Sequence, residues 1–311
     1  LIDFGDLPVF QGVTAYPCIL RMRKAAPASS FRGVEVESLD YDVLADYVEQ
    51  HQFEVLRRSL DTKGWALVDR DTQALLDRLT NEGTPLGDYL EERDTGIYYG
   101  IKTGLNKAFV IKEATRRELI EDDPASAELI KPFLKGRDVG RYEPPVPRRH
   151  VIVIPSGWTN EQASNANDKW VWFADHYPAL AEHLAPYEER ARARYDQGQY
   201  WWELRSCSYY EEFEKPKLLL PDIAERGSAT LDSEGGKYCV TTVSVIGIGE
   251  KTLLALINCN LVTFIYQYLS SSYRGGYLRF KKQYLQRLPI PSLTDAEQKQ
   301  LAAWADEQLA L

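Results

Sequence analysis

Two glycines, two lysines, a threonine and an asparagine crowd into Gly100-Ile-Lys-Thr-Gly-Leu-Asn-Lys-Ala-Phe-Val-Ile111, and residues of these types can do recognition chemistry. Lysine and threonine suit phosphate oxygens, while an asparagine amide donates and accepts in one plane, as paired reading of adenine N6 and N7 requires. The candidates are Lys102, Thr103, Asn106 and Lys107. To present them together, the chain is predicted to form two short strands, 97–101 and 108–111, with Gly104 allowing a turn of positive φ. On residue types alone a polar surface hairpin accounts for the same pattern, because Gly, Asn and Lys are common turn residues.

Two further stretches carry usable chemistry. Tyr200-Trp-Trp-Glu-Leu-Arg-Ser-Cys-Ser-Tyr-Tyr210 sets a dense run of rings beside Arg205. Its rings could fill groove space or support a guanidinium aimed at guanine, or Trp201 and Trp202 could be split between core and surface. Between 270 and 291, Arg274, Arg279, Lys281, Lys282 and Arg287 face no acid in the sequence. The glycines of Arg274-Gly-Gly-Tyr-Leu-Arg-Phe-Lys-Lys282 permit close backbone approach, with bases on both faces of a strand. The chain as a whole has net charge −9, but residues 30–100 alone hold sixteen acids against seven bases. A neutral-to-basic face on an acidic body is compatible with duplex binding, because phosphates respond to local potential. A solvated charge run is the alternative reading.

The positioning elements can be read from pattern. Residues 1–27 read as two buried strands, 25–30 as a linker, and 31–70 as mixed strand and acidic helix, a bridge between two larger parts. Apolar Ala74, Leu75, Leu76 and Leu79 predict an amphipathic helix over 71–81 that ends at Gly83. Short apolar strands are expected at 149–155, 217–220 and 242–248. Residues 168–195 read as helical, with Pro178 and Pro186 at helix starts or breaks, and Arg190, Arg192 and Arg194 as a solvated run. Residues 253–269 read as one buried core helix, interrupted by Asn258 and Asn260 and so not as a membrane span. Pro289 and Pro291 end the element before them. Thr294 with Glu297 forms a capping box opening a helix over 293–311.

At 311 residues the chain can hold two small domains with a proper core. The four cysteines, Cys18, Cys207, Cys239 and Cys259, form no Cys-x-x-Cys pair, which argues for free thiols and a cytoplasmic setting. His51, His150, His176 and His183 show no ligand-like pairing with them, so no metal site is expected. No nucleophile, base and acid can be assembled from these histidines, and Asp222 with Glu234-Gly-Gly-Lys237 lacks the acid-x-lysine spacing of a nuclease centre.

The segment opening at Gly100 resembles the first signature of the TaqI-like C-terminal specificity domain, the target-recognition part of adenine-N6 DNA methyltransferases and of fused type IIG restriction-modification enzymes. Leu129-Ile-Lys-Pro-Phe-Leu-Lys-Gly-Arg-Asp-Val-Gly-Arg-Tyr142 resembles its second block, and Phe213-Glu-Lys-Pro-Lys-Leu-Leu-Leu-Pro-Asp222 its central strand. Leu256-Ile-Asn-Cys-Asn-Leu261, Arg274-Gly-Gly276 and Tyr284-Leu-Gln-Arg-Leu-Pro-Ile-Pro291 resemble its closing part. Ile2-Asp-Phe-Gly-Asp-Leu-Pro-Val-Phe10, followed by Ala15-Tyr-Pro-Cys-Ile-Leu-Arg-Met22, resembles the last catalytic-domain motif of amino-methyltransferases, in which an aromatic precedes a buried strand.

The resemblance implies an α+β fold: the C-terminal edge of a methyltransferase sheet over 1–27, a bridge over 28–70, a target recognition domain over 71–292, and a terminal helix over 293–311. It implies double-stranded DNA as partner, met by Lys102, Thr103, Asn106, Lys107, Lys135, Arg137, Arg205, Arg274, Arg279, Lys281 and Lys282. Phe10 would pack against the flipped adenine. S-adenosylmethionine would be bound by an upstream methyltransferase domain, since this stretch has neither a Gly-rich cofactor turn nor an Asp/Asn-Pro-Pro-aromatic tetrad; Glu143-Pro-Pro-Val146 is the nearest miss. The chain then reads as a fragment, inactive alone, of a restriction-modification or phage-defence enzyme. A protein-interaction module without base reading is the alternative.

Overall fold

The computed structural model describes residues 1–13, 15–60, 65, 67–270, 272–273 and 276–311, and its architecture is α+β, with short helices and several small sheets. At its centre is an antiparallel sheet in the order Thr230–Asp232, Lys217–Pro221, Val243–Ile246, Ile97–Tyr99. Branched and leucine side chains fill both of its faces, as a doubly covered sheet requires. Leu219, Val243 and Val245 point into one core, while Leu218, Leu220, Leu231, Ile246 and Ile97 point into the other.

The first core is closed by a second sheet, in which Tyr238–Cys239 runs parallel to Ile130–Leu134, followed by Arg149–Ile152 and Val110–Lys112. The helices Lys169–His176, Pro178–Leu184 and Glu188–Arg192 lie over 168–195 as expected, with Pro178 in a first turn where no N–H is needed. The second core gathers the helices Arg70–Glu82, Lys251–Asn258, Asn260–Leu269 and Asp295–Leu309. Asp69 caps the first of these by accepting from Asp71 and Thr72, and the Thr294–Glu297 capping box opens the last. Gly83–Pro85 pairs antiparallel with Pro289–Pro291, a two-stranded clasp joining the start of this body to its end.

Several sequence expectations need correction. The span 253–269 is two helices bent by 66° at Cys259. Buried Asn258 spends its amide on the backbone of Ala229, donating to its carbonyl and accepting from its N–H, and Cys259 Sγ accepts from Val262 to start the next helix. No single helix among the described residues is long and apolar enough to cross a membrane.

The signature segment is not a hairpin. The strand Ile97–Tyr99 belongs to the central sheet, residues Asn106–Phe109 form a helical turn, and Val110–Lys112 joins the second sheet. Ala108 and Phe109 are fully buried, and a helical turn brings both to the core while carrying the chain from one sheet to the other. Gly104 does adopt φ +65°. Gly100 is needed for close approach, since a Cβ there would lie 2.1 Å from the Val240 carbonyl oxygen.

The N-terminal sheet has the order Cys18–Ile19, Ile2–Asp3, Ser30–Glu35, Phe53–Leu56, and its last strand meets the helix Arg70–Glu82, where Arg70 pairs with Glu54 at 2.7 Å. The helix Leu44–His51 and a cluster of Phe4, Val34 and Val36 cover one side. The two strands expected to be buried over 1–27 are not: Ile2–Asp3 is half-buried and Cys18–Ile19 exposed.

Candidate nucleic-acid interface

A cleft of about 730 Å³ opens where the central sheet ends, between the segment from Tyr99 to Lys102 and the segment from Arg205 to Tyr210. Asp222, Thr241, Thr242, Ser244, Lys281 and Gln283 complete its lining. A second hollow of about 410 Å³, lined by Arg137 and Arg141 among others, shares Asp222 and Thr242 with the first. The two therefore form one groove, with Lys102, Arg205 and Lys281 in one half and Arg137 and Arg141 in the other.

The walls are held by a pair of buried charges that sequence reasoning missed. Arg194, expected in solvent, is buried and donates to the carbonyls of Thr103 (2.7 Å), Trp201 (3.0 Å) and Glu203. Burial lowers its pKa to about 10, so it remains charged at neutral pH. Glu203 is fully buried, and its carboxylate accepts from the N–H groups of Thr159 (3.0 Å), Gly157 (3.1 Å), Gln199 (2.9 Å) and Tyr200 (3.3 Å). The guanidinium thus ties the Lys102 turn to the ring-rich loop that carries Arg205, and the carboxylate ties that loop to the segment 157–159. Trp201 and Trp202 are both buried instead of being split between core and surface, and Trp202 donates its indole N–H to Thr159.

Among the sequence-derived candidates, the fold collects Lys102, Arg205 and Lys281 in one half of the groove and Arg137 in the other. Arg205 is steadied by Asp196 at 3.1 Å, and Arg279 by Asp222 at 3.1 Å across the junction of the two halves. The acid missing from the local sequence around Arg279 is thus supplied by the fold. Lys107 and Lys282 are exposed, Lys135 is half-buried with its backbone N–H on Asp138, and none of the three lines the groove.

Thr103 is withdrawn from the surface: its side chain is buried and donates to Asn106 Oδ1 at 2.7 Å. The same bond occupies the acceptor half of the Asn106 amide, which a paired contact with adenine would have used. Arg274 lies outside the described residues. Phe10, expected beside a buried strand, is 58% exposed, and the strand after it is exposed too.

Sequence reasoning also passed over Tyr99, Tyr209, Arg141 and Asp222 as site residues. Strand alternation could have found Tyr99: Tyr98 turns inward to stack on Tyr209 at 4.9 Å between ring centroids, so Tyr99 must face the other way. Burial, and Cys207 beside it, push the Tyr209 phenol up to about 12, leaving it a neutral donor. Among the described residues no group of His, Cys, Asp and Glu side chains could hold a metal ion.

Comparison with known proteins converges on one family. The family described as the TaqI-like C-terminal specificity domain matches residues 131–290. The chain is 30% identical to the type II methyltransferase M.XhoI of Xanthomonas vasicola, over 93% of this chain and 53% of that protein. It is 25% identical to M.PaeR7I of Pseudomonas aeruginosa, over 94% of this chain and 50% of that protein. It thus spans about half the length of these curated relatives. In fold it is similar to the type IIL restriction-modification enzyme MmeI, solved in complex with DNA, with TM-score 0.55 and 11% identity over 90% of this chain and 33% of that one.

Proposed function

The chain belongs to the TaqI-like C-terminal specificity domain family, and from that premise we propose that it recognises double-stranded DNA as the specificity half of an adenine-N6 methyltransferase. The observation that carries the reading is the groove. Three cations of one half and two of the other surround a single acid, on a protein whose overall charge is negative. Such a local field attracts a polyanion where the body as a whole does not. Lys102, Lys281 and Arg137 grip phosphates, with Lys107, Lys135 and Lys282 reaching the flanking backbone, while Arg205 and Arg279, each oriented by an acid, read bases. An arginine held by a carboxylate is preorganised for paired contact with guanine O6 and N7.

S-adenosylmethionine belongs to the whole enzyme in this proposal. The groove does not fit it, because cations crowd the space a sulfonium would enter. Methyl transfer falls to an upstream catalytic domain. The exposed apolar residues Phe10, Val13, Ile19, Leu20 and Met22 form the face that domain would cover, with Phe10 as one wall of its adenine pocket. The proposal places the protein in the cytoplasm, within a type IIG or related restriction-modification or phage-defence system.

The test is a salt titration of duplex binding by the chain and by the triple variant Lys102→Ala, Lys281→Ala, Arg137→Ala. The slope of log affinity against log salt should flatten by roughly 0.9 for each phosphate no longer neutralised. Absence of duplex binding at low salt, with capture of a protein partner intact, would instead favour an interaction module.

A further inference from the structure

We propose that the larger half of the groove takes a single nucleotide displaced from the base stack, with Tyr99 as its stacking platform. This rests on the DNA-binding reading above and goes beyond it in naming what enters the cleft. Elements that read a paired duplex project into its grooves. Here Lys102, Arg205 and Lys281 instead stand around a hollow of about 730 Å³, a size typical of pockets that enclose a small ligand. A paired base edge stays inside its duplex; an extruded nucleotide brings a flat ring and a phosphate into such a space together.

The lining matches both parts. Tyr99 is 41% exposed at the rim, on the outer strand of the central sheet, so its ring is available to a base. The strand that carries Tyr99 is backed by Tyr209, stacked on Tyr98 on the other face, and the loop across the cleft is held where Tyr210 donates its phenol proton to the Arg205 carbonyl at 2.9 Å. Ser206, Ser208, Thr242 and Gln283 also line the cleft. Among the described residues, their side chains have no hydrogen-bond partner within the protein. By contrast Thr103, Asn106 and Glu203, just behind the walls, are committed to internal bonds. Uncommitted hydroxyl and amide groups around a hollow, with Arg205, can satisfy the edge of a base that has lost its pairing partner, and Lys102 and Lys281 can meet its phosphate.

Binding of the chain to three labelled duplexes tests this: one fully paired, one with a single bulged adenine, and one with a single bulged thymine. A preference of roughly tenfold for either bulge, the gain expected from one base–aromatic stack, supports the inference, and the stronger of the two identifies the base taken. Tyr99→Ala should abolish that preference and Tyr99→Phe should keep it. Equal binding of paired and bulged duplexes overturns the inference while leaving duplex recognition standing. A preference that survives Tyr99→Ala overturns it as well, since a more flexible duplex alone would then account for the gain. Failure to bind any of the three sinks both readings.

Discussion

In the central sheet Leu218, Leu219 and Leu220 are consecutive and all at 0% exposure, whereas in the N-terminal sheet the neighbours Ile19 and Leu20 are each 47% exposed. The residue types are alike; the surroundings differ. The central sheet has a helical or sheet layer on each face, so both sets of alternating side chains find a core. The N-terminal sheet has the helix Leu44–His51 on one side and fully buried Val55 on the other, but its edge strand Cys18–Ile19 and the residues after it leave apolar side chains exposed. The central sheet therefore finds its burial within the chain, while the segment around Ile19 leaves apolar area uncovered.

The largest effect bearing on this contrast is expected inside the body. Lys217 and Asp232 are both fully buried and paired at 2.6 Å, with Lys237 on the other carboxylate oxygen at 2.7 Å. Lys217→Ala leaves a buried carboxylate half-paired and should cost about 3–5 kcal/mol in chemical denaturation. Removing both charges with Lys217→Met and Asp232→Leu should cost less than the single change.

Next comes Leu219→Ala, expected to cost about 2–5 kcal/mol because the cavity lies within a sheet packed on both sides. A loss below about 1 kcal/mol would mean the two cores can collapse around the gap, and would undo the contrast on its stronger side.

A smaller effect is expected from His150, in the middle of the second sheet. Burial, and then Arg116, hold its pKa below the ordinary 6.5, with Glu113 opposing them. Although Glu113 lies 3.5 Å away, desolvation dominates and the ring is neutral. The unfolded chain therefore takes up a proton at higher pH than the folded one. Stability should be level above about 6.5 and fall as pH drops below it towards the depressed folded value. Thermal unfolding of His150→Gln should lack that descent, and an unchanged descent would assign it to other groups.

The smallest effect belongs to the N-terminal face. Ile19→Ala and Met22→Ala should change the stability of the chain by no more than about 0.5 kcal/mol. They should nevertheless weaken its association with a separately produced methyltransferase domain, measured by calorimetry. Substantial unfolding would show that these residues are already packed within the chain.

Much of this architecture is written in local pattern. Thr294 and Glu297 announce their helix through a bond between neighbours, and Asp69 does the same for the helix before the clasp. The strand runs at 149, 217 and 243 are legible because branched and leucine side chains recur where both faces are covered. The features that were not legible depend on partners distant in sequence. Arg194 is buried through carbonyls at 103, 201 and 203. The pairing of Arg279 with Asp222 spans 57 residues. Asn258 bends its helix pair through a bond to Ala229. In each case the residue type matched an ordinary surface or helix position, and only tertiary partners decided otherwise.

The clasp places Gly83 opposite Pro291 and Pro85 opposite Pro289, so the chain enters and leaves the recognition body on adjacent strands, about 5 Å apart. A body whose ends coincide can be exchanged as a cassette, because the flanking chain sees the same short gap whatever fills it. Because the helices Arg70–Glu82 and Asp295–Leu309 on either side of the clasp also pack into the second core, a transplant should carry residues 70–309 as a unit to keep its fold.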